Sequence, residues 1–140
     1  MGGKFESIDH IGIVVKSLDE IAELFRKISE IDKFETEEVP EQKVRVAMFK
    51  CGESNIEFLM PTSSESPIHK FLEKRGTSIH HIAFRVKNLE EKLEKLKKDG
   101  VKLIDLKPRI GANNKKIAFI HPKSTGGILI ELCEKRREYE

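Results

Sequence analysis

The sequence predicts an α+β fold built of two tandem βαβββ modules, and three observations predict it. First, the chain contains one stretch twice: Ile8-Asp9-His10-Ile11-Gly12-Ile13-Val14-Val15 returns in the second half as Ile79-His80-His81-Ile82-Ala83-Phe84-Arg85-Val86. A repeat at fixed spacing marks two copies of one supersecondary unit. Second, each copy changes from an apolar period of two to one of about 3.6, the passage from strand to helix. The change falls at Lys16-Ser17-Leu18-Asp19-Glu20 and at Lys87-Asn88-Leu89-Glu90-Glu91. Third, three apolar runs bounded by turn residues follow each helix.

Taken in order, the first strand covers Ser7 to Val15. Strict alternation puts His10, Gly12 and Val14 on one face and Ile11, Ile13 and Val15 on the other. Ser17 caps the helix that follows, with Glu20 three residues on as its capping-box partner. Leu18, Ile21, Ala22, Phe25 and Ile28 form that helix's apolar stripe. Strands are expected over Lys33 to Val39, Val44 to Cys51 and Asn55 to Met60, with Cys51-Gly52-Glu53-Ser54 as a hairpin turn. Pro61 to Ser66 connects the halves. A short helix then has Ser66 as cap, Pro67 at its first position and Gly76 past its end, and turns Ile68, Phe71 and Leu72 inward.

The second half repeats the plan. A strand from Ile79 to Val86 leads to an Asn88 cap, a helix carrying Leu89, Leu93 and Leu96, and a stop at Gly100. Strands follow over Val101 to Leu106, Lys116 to His121 and Ile128 to Cys133. Ile117-Ala118-Phe119-Ile120 stands as far beyond Val46-Ala47-Met48-Phe49 as His81 stands beyond His10, so the register of the repeat holds deep into each half. The turn Pro122 to Gly127 is about three residues longer than its counterpart, so Ile130-Glu131-Leu132 matches Ile56-Glu57-Phe58. The chain thus reads as a single domain over 1–140, built of repeats 5–62 and 78–135 joined by 63–77.

At 140 residues the chain buries about 68% of its unfolded surface, enough to fold without a disulfide or structural metal. Cys51 and Cys133 form no CxxC pair and read as reduced, cytoplasmic thiols. Charged residues make up 36% of the chain, yet the net charge is only +2. With the two signs interleaved, a nucleic-acid partner is excluded. No apolar run approaches the roughly 20 residues that span a bilayer, so a membrane role is excluded as well.

The repeat also turns isolated polar residues into a set. Each half supplies a histidine on its first strand and a glutamate on its last: His10 with Glu57, and His81 with Glu131. A carboxylate among apolar strand residues is costly to bury unless it is paired or bound to metal. One such glutamate reads as a solvent-facing strand position; four matched positions read as one shared metal site. Two imidazoles and two carboxylates suit a borderline divalent ion such as Zn, Co, Ni, Mn or Fe(II). An octahedral ion so held keeps two open positions, which suit a substrate offering two oxygens. Other polar residues take plainer readings. His80 aligns with Asp9 and points to the opposite strand face, His69 is a surface residue, and His121 is structural. The loop from Lys107 to Lys116 is basic and contains glycine, a place to meet a phosphorylated ligand.

Several segments carry a resemblance to a known family. They are Asp9-His10-Ile11-Gly12-Ile13, Val39-Pro40-Glu41-Gln42, Ser66-Pro67-Ile68, Lys70-Phe71-Leu72, His80-His81-Ile82-Ala83-Phe84, Arg109-Ile110-Gly111-Ala112 and His121 through Leu132. They resemble the vicinal-oxygen-chelate superfamily of glyoxalase I, extradiol dioxygenases and bleomycin-resistance proteins, and within it the methylmalonyl-CoA epimerases. The resemblance implies a curved mixed sheet around the metal site with helices on the outer face. It implies one divalent metal ion per subunit (Co, Mn, Zn, Ni and Mg all being compatible), held by His10, Glu57, His81 and Glu131, although some relatives carry Gln at the second place. It further implies a homodimer that interconverts the (2R) and (2S) forms of an acyl-CoA substrate, methylmalonyl-CoA, by 1,1-proton transfer through a metal-stabilised enolate. The cytoplasmic location is expected from the cysteines and the lack of a spanning apolar run.

Glu131 is expected as one catalytic base. The other is open among Glu57, Glu41 and a metal-bound water, because Val46 stands where one branch of the family has a glutamate. Arg109, Lys116, Lys123 and Ser124 are expected to bind the acyl-CoA. Two other functions share the fold: a glyoxalase-type isomerase or lyase acting on a thiol adduct, and a non-enzymatic protein that sequesters a ligand. An extradiol dioxygenase fits less well, since it needs three open metal positions.

Overall fold

The computed structural model describes residues 4–135; the first three and last five residues of the expected domain lie outside this range. The chain divides into two compact units, Ile11–His80 and a second formed by the residues up to His10 with those from His81 onward. Both cuts fall inside strands that carry the repeat, β1 (Ser7–Val14) and β5 (Ser78–Arg85).

The unit Ile11–His80 holds α1 (Leu18–Ser29), β2 (Glu35–Val39), β3 (Val44–Cys51), β4 (Ser54–Pro61) and α2 (His69–Arg75). Its strands run in the order β2-β3-β4-β1. β2 with β3 and β3 with β4 are antiparallel. Ser17 caps α1 as expected, its hydroxyl accepting the Glu20 N–H at 3.2 Å. The core is Val15, Leu18, Ala47, Phe49 and Phe58, with Ile13, Ile21, Phe25 and Ile56 packed against it. Ile28, expected in the helix's apolar stripe, is instead 65% exposed. It lies in the last turn of α1.

The α2 helix begins at His69, three residues past the expected cap. Ser66 does not cap it, because its hydroxyl donates to the Gln42 carbonyl at 3.0 Å. Gly76 ends the helix as expected, with its N–H on the Leu72 carbonyl.

The other unit runs β5, α3 (Leu89–Lys98), β6 (Arg109–Ile110), β7 (Lys116–Ile120) and β8 (Ile130–Glu134), its strands ordered β1-β5-β8-β7-β6. β5 and β8 are parallel, while β6 with β7 and β7 with β8 are antiparallel, so the sheet is mixed. Asn88 caps α3 through the Glu91 N–H. Between helix and sheet lie Val86, Leu89, Leu93, Ala118, Ile120 and Leu132. Alternation then sends Ile117, Phe119, Glu131 and Cys133 to the opposite face, where Ile117 and Cys133 cluster with Ala83.

The strand expected over 101–106 is absent; only Leu103 bridges to Ile120, and pairing resumes at β6. Ile104 and Asp105 both donate their N–H to the Phe119 carbonyl, at 2.9 and 3.3 Å, and the Asp105 carboxylate accepts the Phe119 N–H at 2.8 Å. A side chain thus takes the place of a backbone partner and the ladder cannot run on. Residues 104–108 loop outward, leaving Ile104 and Leu106 exposed. β8 likewise begins at Ile130, not at the expected Ile128, which is exposed. The preceding turn passes through Gly126 (φ 75) and Gly127 (φ 102), a left-handed pair that only glycine adopts without strain.

Candidate metal and active site

β1 delivers Asp9 and His10, consecutive residues that are both buried, 0% and 4% exposed. Strict alternation would bury one of them. The second is accommodated because the pair bond each other: His10 Nδ1 donates to Asp9 Oδ2 at 2.7 Å. Asp9 also accepts from Lys115 Nζ at 2.6 Å and from Arg85 Nε and Nη2 at 3.1 and 2.7 Å. Against the cost of burial, these bonds to His10, Lys115 and Arg85 hold the Asp9 carboxyl far below the ordinary range. The bond to Asp9 in turn raises the Arg85 guanidinium, while burial lowers it.

β5 delivers His81 and β8 delivers Glu131, both buried. The two imidazoles face each other, Nε2 to Nε2, at 3.1 Å, with their rings edge-on. Glu131 reaches both: Oε1 lies 3.2 Å from His81 Nε2 and Oε2 lies 3.3 Å from His10 Nε2. Oε2 makes no hydrogen bond and is shielded from water. Burial opposes ionisation of Glu131, but the adjoining His10 and His81 rings outweigh it and bring the carboxyl down to about 2. Cys133, next along the same strand face, is pushed up above its ordinary range by burial and by the Asp9 and Glu131 carboxylates.

Of the four expected ligands, His10, His81 and Glu131 thus come together within one unit. Glu57 belongs to the other unit, where it is buried on β4. The structure supports its equivalence to Glu131: Glu57 pairs with Met48 and Glu131 with Phe119, and Met48 and Phe119 hold matching places in the repeat.

Of the residues expected around the acyl-CoA, Arg109 and Lys116 share a groove, while Lys123 and Ser124 are engaged in local bonds. Arg109 sits over the Phe119 ring at 5.5 Å and is paired to Asp105 at 3.1 Å. Phe119 itself abuts the His81 ring at 5.4 Å, so Arg109 stands one ring away from the histidine. Lys116 turns toward α3, with Nζ 3.5 Å from Glu90. It lines a groove of about 670 Å³ with Asn88, Leu106 and Arg109. The Ser124 hydroxyl is occupied by the Lys102 N–H at 2.8 Å. The Lys123 N–H donates to His121 Nδ1 at 3.1 Å, which gives His121 its structural role. His80 packs on Phe71 at 4.8 Å.

Sequence reasoning missed Asp9, Arg85 and Lys115. The available signal was the acid directly before His10, where the repeat has His80. Lys115 lay inside the loop read as a phosphate contact, yet it is buried.

The donor set fits a divalent cation. His10 and His81 offer ring nitrogens and Glu131 a carboxylate oxygen within 4.8 Å of one another, all three residues buried. Ligand bonds of about 2.0–2.2 Å set adjacent donors on one ion roughly 2.8–3.6 Å apart, for octahedral or tetrahedral angles. Here the two Nε2 atoms are 3.1 Å apart, and each has one Glu131 oxygen beside it, Oε1 at 3.2 Å from His81 and Oε2 at 3.3 Å from His10.

Residues 9–119 match the model of the glyoxalase/bleomycin resistance protein/dioxygenase superfamily, and the chain belongs to that superfamily. Among its relatives is the Bacillus subtilis (strain 168) protein YqjC, 46% identical over 129 residues that cover 92% of each chain. Among solved structures it is similar to methylmalonyl-CoA epimerase from Mycobacterium tuberculosis. The TM-score is 0.91 at 34% identity, over 96% of this chain and 91% of that one. A methylmalonyl-CoA epimerase in complex with methylmalonyl-CoA and NH4+ matches with a TM-score of 0.89 at 36% identity, over 94% of this chain and 96% of that one.

Proposed function

We propose that this chain is an isomerase, a methylmalonyl-CoA epimerase that interconverts the (2R) and (2S) forms of its substrate. The observation that carries the reading is the convergence of His10, His81 and Glu131 within 3.3 Å in a water-excluded place. A full-length likeness to an epimerase solved with methylmalonyl-CoA supports it. The site is the cytoplasmic enzyme's binding place for one divalent ion per subunit of a homodimer, with Glu57 as fourth ligand. When bound, the ion supplies a Lewis acid for the thioester carbonyl and carboxylate oxygens that flank C2.

The chain's own groups supply the rest. His10 and His81 are held edge-on, and Asp9 keeps His10 from turning. Glu131 is ionised at neutral pH, and whichever of its oxygens the ion does not take accepts the C2 proton from one face of the substrate. The electron pair left at C2 delocalises onto the thioester oxygen as an enolate, and a proton delivered from the opposite face completes the inversion. The candidates to deliver it are Glu57, which is buried, Glu41, which is exposed, and a water on the ion. Val46 is buried and apolar and moves no proton. Arg109, beside Phe119, meets the anionic acyl-CoA.

The test is incubation of metal-loaded and chelator-stripped protein with (2R)-methylmalonyl-CoA in D₂O. Loaded protein is expected to place deuterium at C2 as the (2S) isomer forms, and stripping to abolish both. Loaded protein that leaves this substrate unexchanged but isomerises a hemithioacetal would establish the glyoxalase reading instead.

A further inference from the structure

We propose that Asp9 is the positioning residue of this site: it fixes the tautomer and direction of His10, and Lys115 and Arg85 fix Asp9. The inference rests on the metal-dependent reading above. A neutral imidazole has one proton for two nitrogens, and the nitrogen opposite the proton is the one that can bind a cation. Asp9 Oδ2 at 2.7 Å from His10 Nδ1 places the proton there. The lone pair is left on Nε2, the atom 3.1 Å from His81 Nε2. A carboxylate behind a metal-bound histidine also raises its basicity.

Asp9 is itself immobilised. Its Oδ2 is shared with Lys115 Nζ at 2.6 Å, and its Oδ1 takes both Arg85 bonds, all at a fully buried carboxylate. Swinging Asp9 away from His10 would strand two cations, a cost that keeps the imidazole in place. The device is not a by-product of the shared strand plan. At the repeat-equivalent position stands His80, whose ring packs on Phe71.

The competing account is that Asp9 only neutralises Lys115 and Arg85. The double variant Asp9→Asn/Lys115→Met separates the two, because it removes one negative and one positive charge and leaves the buried balance unchanged. Chelator-stripped protein is titrated with Co(II), followed by its visible absorption. The double variant is expected to fold, to bind Co(II) about 10–100-fold more weakly than wild type, and to shift the Co(II) spectrum. Lys115→Met alone, which keeps the Asp9–His10 bond, is expected to bind within a few-fold of wild type. A folded double variant that binds as tightly as wild type overturns the proposal.

A second measurement does not depend on the variants folding. Nitrogen-15 NMR of the histidine rings in metal-free wild type is expected to show His10 protonated at Nδ1 and bare at Nε2. The reverse tautomer overturns the proposal equally. Wild type that takes up no Co(II) would sink the metal reading while leaving the His10 tautomer to be read by NMR.

Discussion

His80 and His81 are neighbours in sequence, and only side-chain direction separates their fates. His81 is buried with Nε2 3.2 Å from Glu131, whereas His80 packs on Phe71. His81→Ala is therefore expected to lose the divalent ion outright and His80→Ala to keep one per chain, as read by metal analysis after dialysis. Equal loss from both would mean that the strand face has been misassigned. The choice between them was legible in the sequence, because the repeat aligns His81 with His10 and His80 with Asp9. The network behind His10 was not legible. It joins residues 9, 85 and 115, and nothing in the local pattern of a basic loop says that Lys115 turns inward while Lys116 turns out to Glu90. Such pairing over long sequence separation is decided by tertiary packing.

At the scale of elements, local signals worked where the backbone has one low-energy answer. Ser17 and Asn88 cap α1 and α3 because each side-chain oxygen satisfies an N–H that the helix leaves free. They failed between Val101 and Leu106, where apolar residues suggest a strand but Asp105 captures the Phe119 N–H that a strand would use. The chain then re-enters the sheet at β6 and passes over β7 at Gly111. A Cβ built at Gly111 would lie 2.8 Å from Ile117 Cδ1 and 3.1 Å from its Cγ2. Ile117 is buried and β-branched, so it has little freedom to yield. Gly111→Ala is expected to destabilise the protein by about 1–3 kcal/mol, the cost of overpacking, in urea unfolding. It is also expected to disturb the segment between Arg109 and Lys115, because the Gly111 N–H is bonded to the Lys115 carbonyl at 2.9 Å. A variant as stable as wild type would mean that loop and strand separate freely there.

The duplicated plan governs the molecule as a whole, and it survives in backbone detail. Val15 N donates to the Leu59 carbonyl, and Val86 N donates to the Cys133 carbonyl, both at 2.9 Å. These are the same bond in the two halves: Val15 and Val86 close the two copies of the repeated stretch, and Leu59 and Cys133 stand at matching places beyond Glu57 and Glu131. What the plan does not duplicate is charge: Asp9 and Lys115, both buried, and the half-buried Arg85 have no counterpart set among the described residues. This asymmetry has a consequence for the response of the whole fold to acid. Asp9 and Glu131 both have folded-state pKa values below their unfolded ones, Glu131 going from 4.5 to about 2. A depressed carboxyl contributes stability that is fully present above its unfolded pKa and is lost as pH falls toward its folded value. Urea midpoints of chelator-stripped protein are therefore expected to be level from about pH 8 to 5. They should then fall steeply between roughly pH 4.5 and 2, as the unfolded chain takes up protons that the folded chain refuses. Glu131→Gln should flatten the upper part of that fall, since an amide does not titrate. A wild-type midpoint unchanged down to pH 3 would show that neither carboxylate is held by its neighbours, and that the His10 environment is looser than its distances indicate.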